Sequence, residues 1–383
     1  MKIIQKNIFG NLCQLLLVTL LSLNTGCSSD KQQTDDPTNA TGSEEVSPVT
    51  TLEQPVVQTG SGEEFLVYVT NEDSNDITVI SGTDHSVLAT IPVGKRPRGI
   101  KASPDGRWVY VALSGSPKCP PTMDDEECED LEADKSADGI AKVDALTREL
   151  VEILPSGSDP EQFDVDWDAG RLYVSNEDSD MASILDLNSG ELVASVPVGS
   201  EPEGVRLSPD KSIVYVTGET GGDITVLDAV DGSELARIQV GRRPRDSVFT
   251  SDGETAYVSA EHGFLIAVVD VASNSVIDTV ELPESSLPME LELSLDEKTL
   301  YVANGRARTV AAIDLQTNQV IQTVDVGIRP WGLAMSPDGR YLYSANGPSN
   351  DVAVIDLETF EVIMKIPAGS SPWGVVTATV PSG

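Results

Sequence analysis

The chain has 383 residues and carries 25 Lys and Arg against 62 Asp and Glu, a formal net charge of −37. A protein that binds nucleic acid needs a basic face to meet the phosphates, so this balance excludes nucleic acid as a partner. The acidic surplus would attract cations or basic partners, although plain solvation of the surface also explains it.

The first 26 residues are predicted to be a signal peptide. Lys2 and Lys6 form a basic start, and residues 15–23 are an apolar stretch too short to span a membrane as mature structure. The following Gly26-Cys27 step resembles a bacterial lipoprotein cleavage site. We therefore expect lipidation at Cys27 and a location in the cell envelope, where the lipid is the only contact with the membrane. An ordinary secretory signal and a retained anchor are the alternatives.

Residues 27–60 are predicted to be a flexible tether. They hold Ser, Thr, Asp, Glu, Gln and Pro with few large apolar residues. Such a segment cannot bury enough surface to offset the entropy lost on ordering.

Seven copies of one short phrase organise the rest of the chain. Each copy has an apolar residue, a Tyr, a small or β-branched pair and then a polar turn. The tyrosines are Tyr68, Tyr110, Tyr173, Tyr215, Tyr257, Tyr301 and Tyr343, with gaps of 42, 63, 42, 42, 44 and 42 residues. A period in the forties with β-rich units is typical of a propeller with one four-stranded sheet per repeat. We predict an all-β, seven-bladed β-propeller of four-stranded antiparallel blades over residues 61–383, most simply a monomer.

The strands can be assigned within each repeat. In the seventh repeat, residues 332–336, 341–345, 352–356 and 362–366 are predicted strands, and Pro337-Asp338-Gly339 supplies a hairpin turn. The third strand ends in Asp in six repeats, and this Asp is expected to accept backbone N–H bonds in the following turn. The first repeat lacks a first strand, whereas residues 373–377 are a surplus one. The ring is therefore expected to close by pairing this C-terminal strand in the first blade.

The long gap predicts an insertion between the second and third strands of one blade. Residues 113–139 contain Cys119, Cys128 and a run of Asp and Glu. In an exported protein such a pair of Cys is expected to form a disulfide. Two Cys with no His nearby are too few for a metal site.

These phrases resemble the YVTN-repeat β-propeller family, with SPDG turns, YVTN strands and VPVG-like ends. The subgroup associated with PQQ-dependent alcohol catabolism is the most similar. The segments that carry this likeness are residues 94–99, 155–161, 176–178, 201–204, 242–245, 347–351 and 371–374. The resemblance implies an exported, non-catalytic propeller of poorly defined role. The acidic Cys-bearing insert departs from the plain repeat pattern of this family.

The residues also argue against catalysis. His85 and His262 are the only histidines, so a His-based triad or a multi-His metal site is excluded. No haem-attachment, nucleophile-elbow, P-loop or dinucleotide-binding motif occurs. The sequence therefore predicts no enzyme activity, no catalytic residue, no bound metal and no cofactor.

One set of residues varies where the repeats otherwise agree. The position after the proline that enters each inner strand is expected to face one mouth of the central channel. The charged and aromatic residues at this position, predicted to bind a small ligand or a protein partner, are Arg98, Glu161, Glu203, Arg245, Trp331 and Trp373. Loop residues Glu72, Glu177, Glu219 and Glu261 should open on the same face, and Arg96, Arg243 and Arg329 should lie nearby.

Three functions compete for this mouth, beside a purely structural alternative. The leading one is a lipid-anchored binding or scaffold module, and a quinoprotein accessory that grips an anionic planar cofactor is a variant of it. A metal-dependent propeller hydrolase or lactonase would use the glutamates as ligands, which Arg98 and Arg245 would oppose. In the structural alternative, Arg98 pairs with Glu161, Arg245 pairs with Glu203 and the Trp rings plug the channel.

Overall fold

A computed structural model describes residues 64–118 and 132–380. Within these residues, twenty-eight strands form seven antiparallel sheets of four strands each. The strands are β1 (Phe65–Asn71), β2 (Asp76–Ser81), β3 (Val87–Pro92), β4 (Pro97–Ala102), β5 (Trp108–Leu113), β6 (Gly139–Asp144), β7 (Glu149–Leu154), β8 (Pro160–Asp166), β9 (Arg171–Asn176), β10 (Met181–Asp186), β11 (Leu192–Pro197), β12 (Pro202–Leu207), β13 (Ile213–Gly218), β14 (Asp223–Asp228), β15 (Glu234–Gln239), β16 (Pro244–Phe249), β17 (Thr255–Ala260), β18 (Leu265–Asp270), β19 (Ser275–Glu281), β20 (Pro288–Leu293), β21 (Thr299–Asn304), β22 (Thr309–Asp314), β23 (Gln319–Asp325), β24 (Pro330–Met335), β25 (Tyr341–Asn346), β26 (Asp351–Asp356), β27 (Glu361–Pro367) and β28 (Pro372–Thr379).

The helical elements in the same residues are single 3₁₀ turns, at Lys135–Ala137, Glu177–Ser179, Glu261–Gly263 and Gly347–Ser349. None of the described helices is both long and apolar enough to cross a membrane. Cys27, Cys119, Cys128, the signal peptide and the tether fall outside the described residues, so the predictions about them stay predictions.

The seven-bladed propeller is confirmed, and so is the way in which its ring closes. The first blade has the strand order β28-β1-β2-β3, so it combines the two ends of the repeat region. Tyr68 lies opposite Val376 and Val69 lies opposite Val375 across the antiparallel pair. The C-terminal strand therefore fills the edge that β1 would otherwise expose.

Two recurrent polar residues organise the blades. The Asp that ends six of the seven third strands binds the next turn, as predicted: Oδ1 of Asp144 accepts N–H bonds from Leu146 at 2.9 Å and Thr147 at 3.0 Å. In four blades the second strand ends in a buried Asn whose amide bridges to the third strand. Nδ2 of Asn71 donates to Asp76 at 2.7 Å and to Thr78 at 2.9 Å. These bonds satisfy polar groups that the sheets bury.

The core lies between neighbouring blades. One apolar cluster joins Tyr68 of the first blade to Val111 and Ala141 of the second. The hydroxyl of Tyr173 donates to the carbonyl oxygen of Ala229 in the next blade, at 2.8 Å. Tyr173 thus supplies both apolar area and a polar tip to this contact between blades.

The inner strands position the residues of the channel. After each entry proline the pairing with the second strand is interrupted, for example between Pro97 and Ile100. Neighbouring inner strands also approach closely, because a Cβ at Gly204 would lie only 2.2 Å from the carbonyl oxygen of Arg245. The interrupted pairing and the narrow spacing bring the side chains after the prolines together around the axis.

Candidate binding site at the channel mouth

A cavity of about 710 Å³ opens at one end of the channel. All six residues predicted to form the mouth line it, together with Glu72, Glu177 and Glu219. The sequence grouped seven residues, one from each repeat, only because each follows an entry proline. The structure places six of them around this cavity. Whether they bind a ligand stays a prediction.

Arg98 is buried in the mouth by carboxylates from the next blade. Its guanidinium pairs with Asp159 and Glu161, and Nη1 lies 3.6 Å from Glu177. Ser114 also donates to Asp159. Sequence reasoning missed Asp159, although it immediately precedes an entry proline and has a φ of 54°.

Arg245 is enclosed in the same way. It pairs with Glu203, and it lies 2.8 Å from Glu219 and 2.6 Å from Glu261. Arg243 adds a further contact to Glu219. The pairs Arg98–Glu161 and Arg245–Glu203 of the structural alternative are therefore both present. These two arginines neutralise their own carboxylates and do not offer free charge to a ligand.

Around Arg98 and Arg245 the acidic side chains outnumber the basic ones, and the pKa values of two of the glutamates are raised. Burial, reinforced by Glu203, raises the pKa of Glu177 to about 8 against the opposing effect of Arg98. Burial also raises the pKa of Glu219 to about 8, with Arg245 opposing and Glu203 adding to the rise. Both side chains therefore retain a proton at neutral pH.

The two tryptophans stack on each other. Their ring centroids are 5.6 Å apart and the planes meet at 21°. The guanidinium of Arg329 lies 4.4 Å from the centroid of Trp331. Trp373 is buried, and Arg329 lies at the cavity. Trp373, Trp331 and Arg329 thus form a layered stack, in which Trp331 contacts both of the others. Among the described residues, Arg329 lies within ion-pair distance of no carboxylate.

One group of carboxylates has the spacing of a metal site. Oxygen atoms of Asp159, Glu161 and Glu177 all lie within 4.8 Å of one another. The guanidinium of Arg98 contacts all three. A cation would have to displace a buried arginine from these partners, so the residues do not fit a metal well.

Deeper in the channel lies a chamber that the sequence did not predict. It has a volume of about 140 Å³ and includes Lys101, Arg206, Asp246, Glu290 and Glu292 in its lining. Burial raises the pKa of Glu290 to about 8 and that of Glu292 to about 7. These residues come two and four positions after an entry proline, and this alternation was the signal that could have found them.

Comparison with known proteins supports the fold. The family model described as outer membrane protein assembly factor BamB matches residues 154–324, which is less than half of the chain. A comparison with curated proteins gave no match. The YVTN label and the subgroup stay predictions, whereas the β-propeller itself is shown.

Solved structures agree with this fold at low sequence identity. A functionally unknown protein from Desulfotomaculum acetoxidans has a TM-score of 0.68 and 15% identity, covering 82% of this chain and 98% of its own. The periplasmic gluconolactonase PpgL of Pseudomonas aeruginosa has a TM-score of 0.65 and 20% identity, covering 83% and 100%. A chain of Kuenenia stuttgartiensis hydrazine synthase has a TM-score of 0.61 and 20% identity, covering 73% and 89%.

These neighbours correct one prediction. The sequence predicted that the chain is not an enzyme, because it lacks a His-based triad and the familiar catalytic motifs. PpgL carries the same fold over its whole length and is a gluconolactonase. The absence of those motifs is therefore no argument against catalysis in this fold, and the prediction was wrong.

Proposed function

We propose that this chain is an exported, lipid-anchored propeller of the cell envelope that binds a small anionic solute at the channel mouth. The observation that carries the proposal is Arg329, a cation stacked on Trp331 at the cavity with no ion pair among the described residues. The other arginines of the mouth have carboxylate partners. Of the basic side chains that line the cavity in the described part of the chain, Arg329 is the one without an ion pair, so its charge is available to a ligand.

The layered stack explains how Arg329 would act. Trp373 supports Trp331, and Trp331 supports the guanidinium through its ring face. A guanidinium placed over an aromatic face by cation–π attraction still has N–H donors to offer to a ligand. A carboxylate or phosphate can accept two of these donors at once. The stack therefore favours an anion over an uncharged ligand.

The same stack argues against a planar cofactor lodged between the indoles. Trp331 is covered by Trp373 on one side, and the guanidiniums of Arg329 and Arg245 lie 4.4 and 5.8 Å from its centroid. A quinone would have to separate these groups before it could stack. Among the alternatives, a small solute held by its anionic group agrees better with the geometry.

Substituting Arg329 with Gln tests the proposal. Small monocarboxylates and inorganic phosphate are titrated while Trp fluorescence is recorded, since Trp331 and Trp373 lie in the cavity wall. Loss of a charge-assisted bond is expected to weaken binding of the preferred anion about tenfold or more.

A matched control for this titration is Arg340→Gln. Arg340 is also stacked on an aromatic ring, with Cζ 5.1 Å from the centroid of Tyr341, but it is absent from the lining of the mouth. Arg340→Gln removes the same charge as Arg329→Gln and should leave anion binding unchanged. Equal affinity of the wild type and Arg329→Gln for every anion, or no anion binding at all, would contradict the proposal.

The lipid anchor has its own test. The Gly26-Cys27 step supports it, and the periplasmic location of PpgL agrees with an exported propeller. Cys27→Ala should remove the lipid-modified form, as judged by mass spectrometry of the mature N-terminus and by membrane fractionation. Unchanged membrane association, together with processing that globomycin does not inhibit, would reject the anchor.

A further inference from the structure

We infer that the anion held at the mouth is a short, unbranched aliphatic monocarboxylate, whose hydrocarbon end enters a narrow slot below the mouth. The inference rests on the proposed function, because Arg329 takes the carboxylate. What it adds is a second subsite, walled by Met289, Trp331 and Trp373, that selects the length and width of the hydrocarbon chain.

The slot is a cavity of about 30 Å³ between the mouth and the deep chamber. Glu203, Arg245 and both tryptophans line the slot and the mouth alike. The residues that the slot shares with the chamber are Gln162, Asp246 and Glu290. The three cavities therefore follow one another along the channel, and a chain that enters through the mouth meets the slot next.

Met289 is the seventh residue of the set that follows the entry prolines, and it lines the slot instead of the mouth. It is 3% exposed. Oγ of Ser259 donates to its carbonyl oxygen at 2.5 Å, which holds its backbone in place. A thioether side chain is flexible and polarisable, so it packs well against aromatic rings and against guests of irregular shape. The one aliphatic member of the set thus shares a cavity with the two aromatic members.

Charge decides which end of the ligand enters the slot. Two carboxylates border it, and each already has a cation as its partner. Glu203 pairs with Arg245. Asp246 pairs with Arg206 at 3.1 Å. An anionic group placed in the slot would meet these like charges, which is unfavourable. The carboxylate of the ligand therefore stays with Arg329, and the uncharged tail enters.

A single negative charge on the ligand matches Arg329. Coulombic interaction with Glu261 and Glu72 already acts on this guanidinium, so a second negative charge on the ligand would be repelled by the same two carboxylates. A phosphate monoester is largely dianionic at pH 7, whereas a monocarboxylate carries one charge. The mouth therefore favours the monocarboxylate.

The size of the slot limits the hydrocarbon chain. A cavity of roughly 10–15 Å³ is enough for one water molecule, so about 30 Å³ admits about one or two carbon atoms. Arg329 lies 4.4 Å from the centroid of Trp331, a distance that about two or three further carbon atoms cover at about 1.5 Å per bond. Butyrate and valerate are therefore the expected best ligands.

A series of carboxylates tests the slot. Acetate, propionate, butyrate, valerate and hexanoate are each titrated into the full-length mature protein by calorimetry and by Trp fluorescence. Each added CH₂ group should improve affinity about three- to fourfold as far as valerate, and hexanoate should gain nothing more. Burial of hydrocarbon should also make the heat-capacity change of binding more negative along the series.

Pivalate is the matched control ligand for valerate. The two monocarboxylates have the same number of carbon atoms and the same charge, but the branched end of pivalate is too wide for a cavity of about 30 Å³. Pivalate should therefore bind no better than acetate. Equal affinity for valerate and pivalate would overturn the slot.

Met289→Gln assigns the selectivity to the slot. The substitution keeps the approximate length of the side chain and makes the wall polar, so the ratio of valerate to acetate affinity should fall from about thirtyfold towards one. Met364→Gln is the control, because Met364 is 42% exposed on β27, the outermost strand of its blade, and it should leave this ratio unchanged. If Met289→Gln fails to fold, the comparison of valerate with pivalate on the wild type still decides.

The outcomes distinguish the slot from the proposed function. If affinity is independent of chain length but falls in Arg329→Gln, the anion site stands and the slot is rejected. If Arg329→Gln binds every member of the series as tightly as the wild type, the proposed function itself fails. Absence of carboxylate binding to the folded wild type overturns the aliphatic class, while the phosphate titration decides separately on Arg329.

Discussion

Deleting residues 371–383 should abolish the cooperative unfolding of the propeller. The deletion removes β28, which is the innermost strand of the first blade and pairs with β1 along six residue pairs. It also removes Trp373, Val375 and Ala378 from the core. Burial of a large apolar side chain contributes about 1.5–3 kcal/mol, so this loss is a large part of the stability of an ordinary domain.

The effect can be followed by thermal denaturation with circular dichroism, together with size-exclusion chromatography. We expect either no sigmoidal transition or aggregation through the exposed edge of β1. Deleting residues 381–383 alone is the control, because β28 ends at Thr379, and it should leave the melting temperature unchanged. A cooperative melt at the wild-type temperature after the longer deletion would show that β28 does not close the ring.

Substituting Arg245 with Met should destabilise the fold by about 3–5 kcal/mol, the usual effect of removing one partner from a buried ion pair. The side chain of Arg245 is 9% exposed, and its removal leaves Glu203, Glu219 and Glu261 facing one another. The negative charges of Glu203 and Glu261 would then be buried without the cation that lies between them. Urea unfolding at pH 7 measures the change.

The same variant should have a defined pH dependence. Burial alone would raise the pKa of Glu203, but Arg245 and neighbouring donors lower it below its ordinary value. In the wild type, Glu203 thus contributes stability above the unfolded-state pKa, and this is lost as the pH falls through the folded pKa. The difference between wild type and variant should be full at pH 7 and shrink below about pH 4.3, where unfolded glutamate becomes protonated.

Arg237→Met serves as the matched control for Arg245→Met. Arg237 is 40% exposed and pairs with Glu234 at 3.0 Å on the outermost strand of its blade. Exposed pairs of this kind contribute less than about 1 kcal/mol, so this variant should be nearly as stable as the wild type. If the two variants lose equal stability, the buried network around Arg245 is not what stabilises the mouth.

The seven-bladed propeller could be predicted from the sequence because the residues that define a blade lie close together in the chain and recur from repeat to repeat. The YVTN phrase, the SPDG turn and the Asp that ends six of the third strands occur within a few residues of their hydrogen-bond partners. Asn71 contacts Asp76 and Thr78, for example, at separations of five and seven residues. The seven-fold repetition also made the surplus strand at the C-terminus easy to recognise.

The mouth could be predicted only in part. Position after the entry proline was enough to select Arg98, Arg245, Trp331 and Trp373 and to expect the pairing of the arginines. It could not show that Asp159 shares Arg98 with Glu161, that the indoles stack, or that Arg329 has no carboxylate partner among the described residues. Nor could missing motifs decide against catalysis, because a propeller places its reactive groups in space and not in a short segment.

What could be predicted depends on contacts between neighbours in the chain, and what could not depends on contacts between residues far apart in the sequence. Strand pattern, turn chemistry and repeat length depend on neighbours along the chain, so the amino-acid order specifies the blades and their number. The charge balance of the mouth depends on which side chains meet across the axis, and Arg98 and Asp159 are 61 residues apart. Packing of neighbouring blades brings these groups within hydrogen-bond distance, and burial there sets which carboxylates retain their protons. The tertiary structure therefore decided which cation and which acids of the mouth are available to a ligand.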